Sequence, residues 1–306
     1  SAVHCVQFSV DGQYLAVSCD GEIRISDAKT GTIVCVLAHQ TDEKLGVLPF
    51  RAMCFTLDGN YLAAGSDDKN IWIWDIAERA IQTSLVGHSK EITSLTTSPD
   101  GKLLISGSND GTVRIWEIQT WNCSVLDIIE PRKMNIGVKS VAVSSDCLWV
   151  AAGSMDGVIR IWDIRNKALV ERLRGHWEPV STVNFRGDSP QLISGSWDNA
   201  LKCWDIGPMV AAPVLIGEED GVGERGSRCC LSFAEHKDEV LSAVVSPSGD
   251  WVASCSTDGA VKIWNPSTAE TWLETEGHNG PFTFVALNSV GLLVASGANS
   301  HTCICK

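Results

Sequence analysis

LLISGSNDGTVRIWE, from Leu103 to Glu117, decides the fold. It carries a short apolar run into a Gly-Ser pair, turns tightly at Asp110-Gly111, and leaves along alternating residues to Trp116. The segment returns as WVAAGSMDGVIRIWD (Trp149 to Asp163), QLISGSWDNALKCWD (Gln191 to Asp205) and WVASCSTDGAVKIWN (Trp251 to Asn265). Fainter copies end at Asp27 and Asp75, and a last one, aligned on Gly297, runs out at Lys306. The ends recur after forty-odd residues, with one longer gap before Asn265, which is the period of a four-stranded propeller blade. Seven copies predict an all-β, seven-bladed β-propeller.

In VRIW (Val113 to Trp116) successive side chains alternate faces, and a blade sandwiched between two others buries both. SPDG (Ser98 to Gly101) and SPSG (Ser246 to Gly249) have hairpin chemistry and join first to second strands. A ring of repeats makes residues 1–306 one domain, although length alone suggests about two at roughly 150 residues each. The last copy, LLVASGANSHTCICK, has Ser300 in place of the turn Asp and Lys306 in place of the Trp. Its blade is expected to be incomplete, without an outer strand, and the chain, starting at Ser1 inside a strand-like run, reads as a fragment too short upstream to supply one. Weakened closure and self-association are the expected consequences.

Charge and composition exclude several classes. With 24 basic against 37 acidic residues and a net charge of −13, the chain offers no basic track for nucleic acid. The acidic surplus suits a basic partner such as a Lys-rich tail, or is simply ordinary solubility charge. No apolar run approaches the roughly 18 residues of a membrane span. The 12 cysteines lack CxxC spacing and read as buried, reduced thiols. His301-x-Cys303-x-Cys305 is set aside as a metal site because alternation puts both thiols on one strand face, so neither metal nor cofactor is expected.

The copies share a covariation. Those preceded by a His turn hold His88, His176, His236 and His278, and these carry Ser106, Ser194, Ser254 and Ser296 at one strand position. Copies without the histidine carry Ala16, Ala64 and Ala152 there. An imidazole and a hydroxyl bonded to each other explain this, since an orphaned buried polar group costs about 1–3 kcal/mol. Three complete structural tetrads are expected: His88, Ser106, Asp110, Trp116; His176, Ser194, Asp198, Trp204; and His236, Ser254, Asp258, Trp264. A catalytic triad is the competing reading, but a catalytic set does not recur blade after blade. The chain is expected to be a non-enzyme without a small-molecule substrate.

The tetrads and Trp-Asp endings resemble the WD-repeat propellers. GVKSVAVS (Gly137 to Ser144), LVERL (Leu169 to Leu173) and GERGSRCCLSFAEHKDEVLSAVVSPSGDWVAS (Gly223 to Ser254) are similar to the C-terminal propeller of fungal Tup-type general transcriptional corepressors, relatives of Groucho. The insertion Gly207 to Arg228 and the segment between His39 and Phe50 share that resemblance. Asp27 following Ser26, the degraded last copy and the insertion PRKMNI (Pro131 to Ile136) depart from it. The resemblance implies a nuclear docking platform for DNA-bound regulators, linked to histone-modifying complexes, in proteins whose helical N-terminal segment tetramerises.

In this architecture the Asp turns and His turns share one face. The residues before each turn Asp, namely Cys19, Asp67, Asn109, Met155, Trp197 and Thr257, are expected to point outward there. Met155, Trp177 and Trp197, from neighbouring copies, have the composition of a binding hot spot. Packing of Trp177 on Trp197 to cap a blade is the alternative. Glu130 aligns with an acidic position that the resemblance makes a partner contact. A second functional reading is the substrate receptor of a ubiquitin ligase, and a third, with little support, a propeller hydrolase.

Overall fold

Alternation in each copy resolves into antiparallel strands. The computed structural model describes residues 3–38, 48–127, 136–207, 229–275, 281–288, 293–297 and 302–305, the last two segments and residue 127 by backbone alone. Six sheets have four strands each, paired in sequence order: residues 3–38, 50–85, 92–127, 138–173, 180–233 and 240–274, here blades 1 to 6. The expectation of seven blades is corrected to six. The last repeat copy gives only a three-stranded sheet, Phe282–Leu287, Leu293–Gly297 and Thr302–Cys305, in which no fourth strand pairs with Thr302–Cys305 among the described residues. This is the copy whose Asp and Trp are replaced, so the spacing that counted it as a blade lacked the residues that build one.

First strands pack side by side around the channel, and the three-stranded sheet lies between blade 6 and blade 1. The apolar clusters sit between blades. Ile105 and Val113 of blade 3, for example, meet Val138, Val150 and Trp162 of blade 4.

The Gly-Ser pair acquires its meaning at these seams. A Cβ added to Gly65, Gly107, Gly153 or Gly195 would stand 2.4 to 2.8 Å from a methyl of Ile92, Val138, Val180 or Val240 on the next blade's first strand. Each missing side chain is therefore the socket for a β-branched knob. Blades 1 and 6 have Ser18 and Cys255 in this register, and Ser18 donates instead to the Phe50 carbonyl at 2.7 Å.

Every first strand carries a bulge, one residue with no opposite number on the second strand. These residues are His4, Arg51, Thr93, Lys139, Ser181 and Leu241 in blades 1 to 6, and Thr283 in the three-stranded sheet. Thr93 and Ser181 turn their hydroxyls onto the next blade, at Val138 O (2.6 Å) and Val240 O (2.5 Å).

The cysteines divide. Cys5, Cys19, Cys35, Cys54, Cys203 and Cys255 are buried, whereas Cys123 and Cys230 are exposed and Cys147 and Cys229 half-buried. The expectation of uniformly buried thiols is corrected for those four. Cys123, Cys229 and Cys230 stand on outer strands, which no further strand covers among the described residues.

Candidate functional site

A carboxylate accepts only, and that fixes the proton order in blades 3, 5 and 6. His Nδ1 lies 2.9, 2.7 and 2.9 Å from Oδ2 of Asp110, Asp198 and Asp258, so it carries the proton. Nε2 then accepts from the Oγ of Ser106, Ser194 or Ser254 at 2.7, 2.8 and 2.8 Å. The serine oxygen in turn accepts the indole N–H of Trp116, Trp204 or Trp264 at 2.9, 2.8 and 2.7 Å. Each tetrad is a one-way relay from Trp to Ser to His to Asp. Its serine is buried and already engaged at both ends, so it offers no accessible nucleophile.

In blade 6 the electrostatics agree with a neutral imidazole. Burial holds the His236 pKa below its ordinary value against the opposing pull of Asp258. Burial also pushes Asp110 upward, but the bonds from His88, the Ser89 amide and Thr112 outweigh it and leave the carboxyl well below its usual range. Asp198 and Asp258 are lowered in the same way, by His176 with the Ala200 amide, and by the Lys237 amide with His236.

Blades without the histidine use other solutions. In blade 2 the indole of Trp72 donates to Asp68 at 2.9 Å, while Trp74, in the copy that carries Ala64 where others have serine, has a buried N–H with no partner among the described residues. In blade 4 the guanidinium of Arg160, 1% exposed, folds onto Asp156 at 2.8 and 3.1 Å and onto Ser154. Sequence reasoning missed both. The signal was present in Trp72 and Arg160, which occupy the repeat position of Arg114, Lys202 and Lys262 in copies that lack the histidine.

The turns before each Asp are tied to the loop leading into the same blade. The amides of Asp67, Asn109, Met155, Trp197 and Thr257 donate to the carbonyls of Pro49, Glu91, Gly137, Pro179 and Glu239. Of the six residues expected to point outward, Met155 alone is exposed, at 42%; Cys19 is buried, and the other four are half-buried. Arg51 holds Asp67 through two nitrogens, one at 2.7 Å.

Blades 4 and 5 bring the remaining residues together. A Cβ on Gly157 would lie 2.7 Å from the His176 carbonyl, so the Met155 turn abuts the loop that bears Trp177. Trp177 is 73% exposed although its amide is anchored to Asp198. Trp197 is half-buried beneath Lys139, whose Nζ lies 5.7 Å from the ring centroid. Asn109 joins the same surface, its Oδ1 2.9 Å and Met155 Sδ 3.1 Å from a Cβ placed on Gly137. Glu130, His278, His301, Ser300, Lys306, the insertion at 208–228, residues 39–47 and the side chains of Ser296, Cys303 and Cys305 lie outside the described residues.

Known proteins divide along the same lines. The WD domain, G-beta repeat profile matches residues 1–27, 31–75, 79–117, 133–163, 167–205 and 227–265, six copies that stop short of the three-stranded sheet. Transcriptional repressor rco-1 of Neurospora crassa is 40% identical over 291 residues, 95% of this chain and 46% of its own. Transcriptional repressor tup12 of Schizosaccharomyces pombe is 37% identical over 277 residues, 89% of this chain and 44% of its own. General transcriptional corepressor tupA of Dictyostelium discoideum is 40% identical over 92 residues, 30% of this chain and 16% of its own. The chain thus resembles the Tup-type corepressors and spans a little under half the length of the first two relatives. Nothing in these likenesses favours a ubiquitin-ligase receptor.

Proposed function

Since the chain belongs to the WD domain, G-beta repeat family, we propose that it is the protein-interaction propeller of a nuclear transcriptional corepressor, docking DNA-bound regulators without catalysis of its own. Its likeness to rco-1 and tup12, both transcriptional repressors, supports the role. The observation that carries the docking face is Trp177, 73% exposed beside Met155, on a loop whose backbone is held by the blade 5 tetrad. A large aromatic kept in water by a rigid loop has desolvation energy to release on binding and little entropy to lose.

The test is affinity capture from nuclear extract with the wild type and a Met155→Ala, Trp177→Ala variant, both checked for unchanged unfolding. DNA-binding regulators retained by the wild type and lost by the variant support the proposal. Recovery of ligase adaptors, or of nothing that depends on these residues, overturns it.

A further inference from the structure

Three of the bulge residues have basic side chains: His4, Arg51 and Lys139. Arg51 is already committed to Asp67. Lys139 is not. Its ammonium is half-buried, lies over the Trp197 ring, and forms no hydrogen bond or ion pair with any described residue. Burial and the positive charge of Arg51 together hold its pKa below the ordinary value, and the pull of Glu91 does not restore it. Glu91 is engaged elsewhere, accepting from Asn109 Nδ2 at 3.4 Å. An ammonium that has lost part of its hydration without gaining a counter-ion is stabilised by an arriving anion far more than a surface lysine is.

Trp197 lies under Lys139, Met155 stands against Gly137 two residues before it, and Trp177 is on the loop that the Met155 turn abuts, while Arg51 and Glu91 are its charged neighbours. We propose that Lys139 is the anchor of a carboxylate subsite on this face, receiving an Asp or Glu side chain of an extended peptide whose neighbouring apolar residue packs on Met155 and Trp177. The inference rests on the docking reading above and adds the chemistry of its partner. A single ammonium, with the one nearby guanidinium already paired, matches a monovalent carboxylate better than a phosphate, which is favoured by free guanidinium forks. The local preference is the reverse of what net charge alone suggests: a protein at −13 selects an acidic segment here.

The experiment is selection of a displayed random dodecapeptide library on the wild type, followed by titration of the selected peptides and their Asp→Asn or Glu→Gln counterparts against the wild type and the Lys139→Gln, Lys139→Arg and Trp177→Ala variants. Peptides enriched in one acidic residue at a fixed spacing from an apolar one are expected. Neutralising that residue should weaken binding about tenfold or more on the wild type and on Lys139→Arg, and less than about twofold on Lys139→Gln. Peptides that need Trp177 but show no acidic preference, or keep it on Lys139→Gln, overturn the subsite and leave the docking reading standing. Tighter binding of a phosphoserine counterpart overturns the carboxylate assignment. Peptides indifferent to Trp177, or none selected, overturn both.

Discussion

Ser194 sits at the centre of the blade 5 tetrad, 2.8 Å from both the Trp204 Nε1 and the His176 Nε2, with no exposure to solvent. Replacing it with alanine deletes one oxygen and strands two buried groups, an indole N–H and an imidazole nitrogen. At about 1–3 kcal/mol for each orphaned group, the lower half of that range for both gives a loss of about 3 kcal/mol. With an unfolding entropy of about 2.1 cal/mol/K per residue over a chain of 306 residues, this is a fall in Tm of about 5 °C. Urea denaturation gives the free energy directly, and a cycle with Trp204→Phe separates the packing of the ring from its N–H. In the Phe background no indole donor remains to be stranded, so Ser194→Ala should cost about 1–2 kcal/mol less there. A single-mutant loss under about 0.5 kcal/mol, or a cycle without coupling, would refute the relay as a source of stability.

Other expectations come from the neighbouring blades. Ala64→Ser in blade 2 offers the stranded Trp74 N–H an acceptor, and stability should rise by up to about 1 kcal/mol in the same denaturation assay; a loss would show that the hydroxyl cannot be placed there. Gly107→Ala drives a methyl toward Val138 and should cost about 1–3 kcal/mol, part of it recovered by Val138→Ala, whereas a neutral result would deny the socket. Acid should destabilise in two stages. Because the folded pKa of His236, and of His4 on the first strand of blade 1, is lowered, the unfolded chain binds the proton more readily; their contribution is complete above about pH 6.5 and declines as pH falls toward the folded values. The depressed Asp110, Asp198 and Asp258 contribute above about pH 3.9 and lose that contribution as pH falls further, toward their folded values. Denaturation midpoints that rise between pH 7.5 and 5.5 would contradict the sign.

What was legible in the sequence was whatever repeats. Ser106, Ser194 and Ser254 travel with their histidines, so three copies reveal a contact that one copy would hide. The spacing also made the last copy look like a blade, because a period counts segments and does not register the missing Asp and Trp at Ser300 and Lys306. Lys139 escaped for a different reason. A bulge residue stands outside the strict alternation, and in GVKSV nothing marks Lys139 as the extra residue until the register of Val138 and Ser140 is seen. Outward direction was misjudged at Cys19 because position in the turn does not decide exposure when the side chain is small and apolar.

The glycine sockets give the ring a seam structure of its own. Consecutive joints from blade 2 through blade 6 are keyed by a glycine facing Ile92, Val138, Val180 or Val240, whereas the joints after blade 1 and after blade 6 are not. The ring therefore contains one arc of five blades fastened in series, with an unkeyed joint at each of its ends. Under thermal or mechanical load the ring parts first at the joints that flank this arc, and native-state hydrogen exchange should find the five blades opening as one unit, later than blade 1.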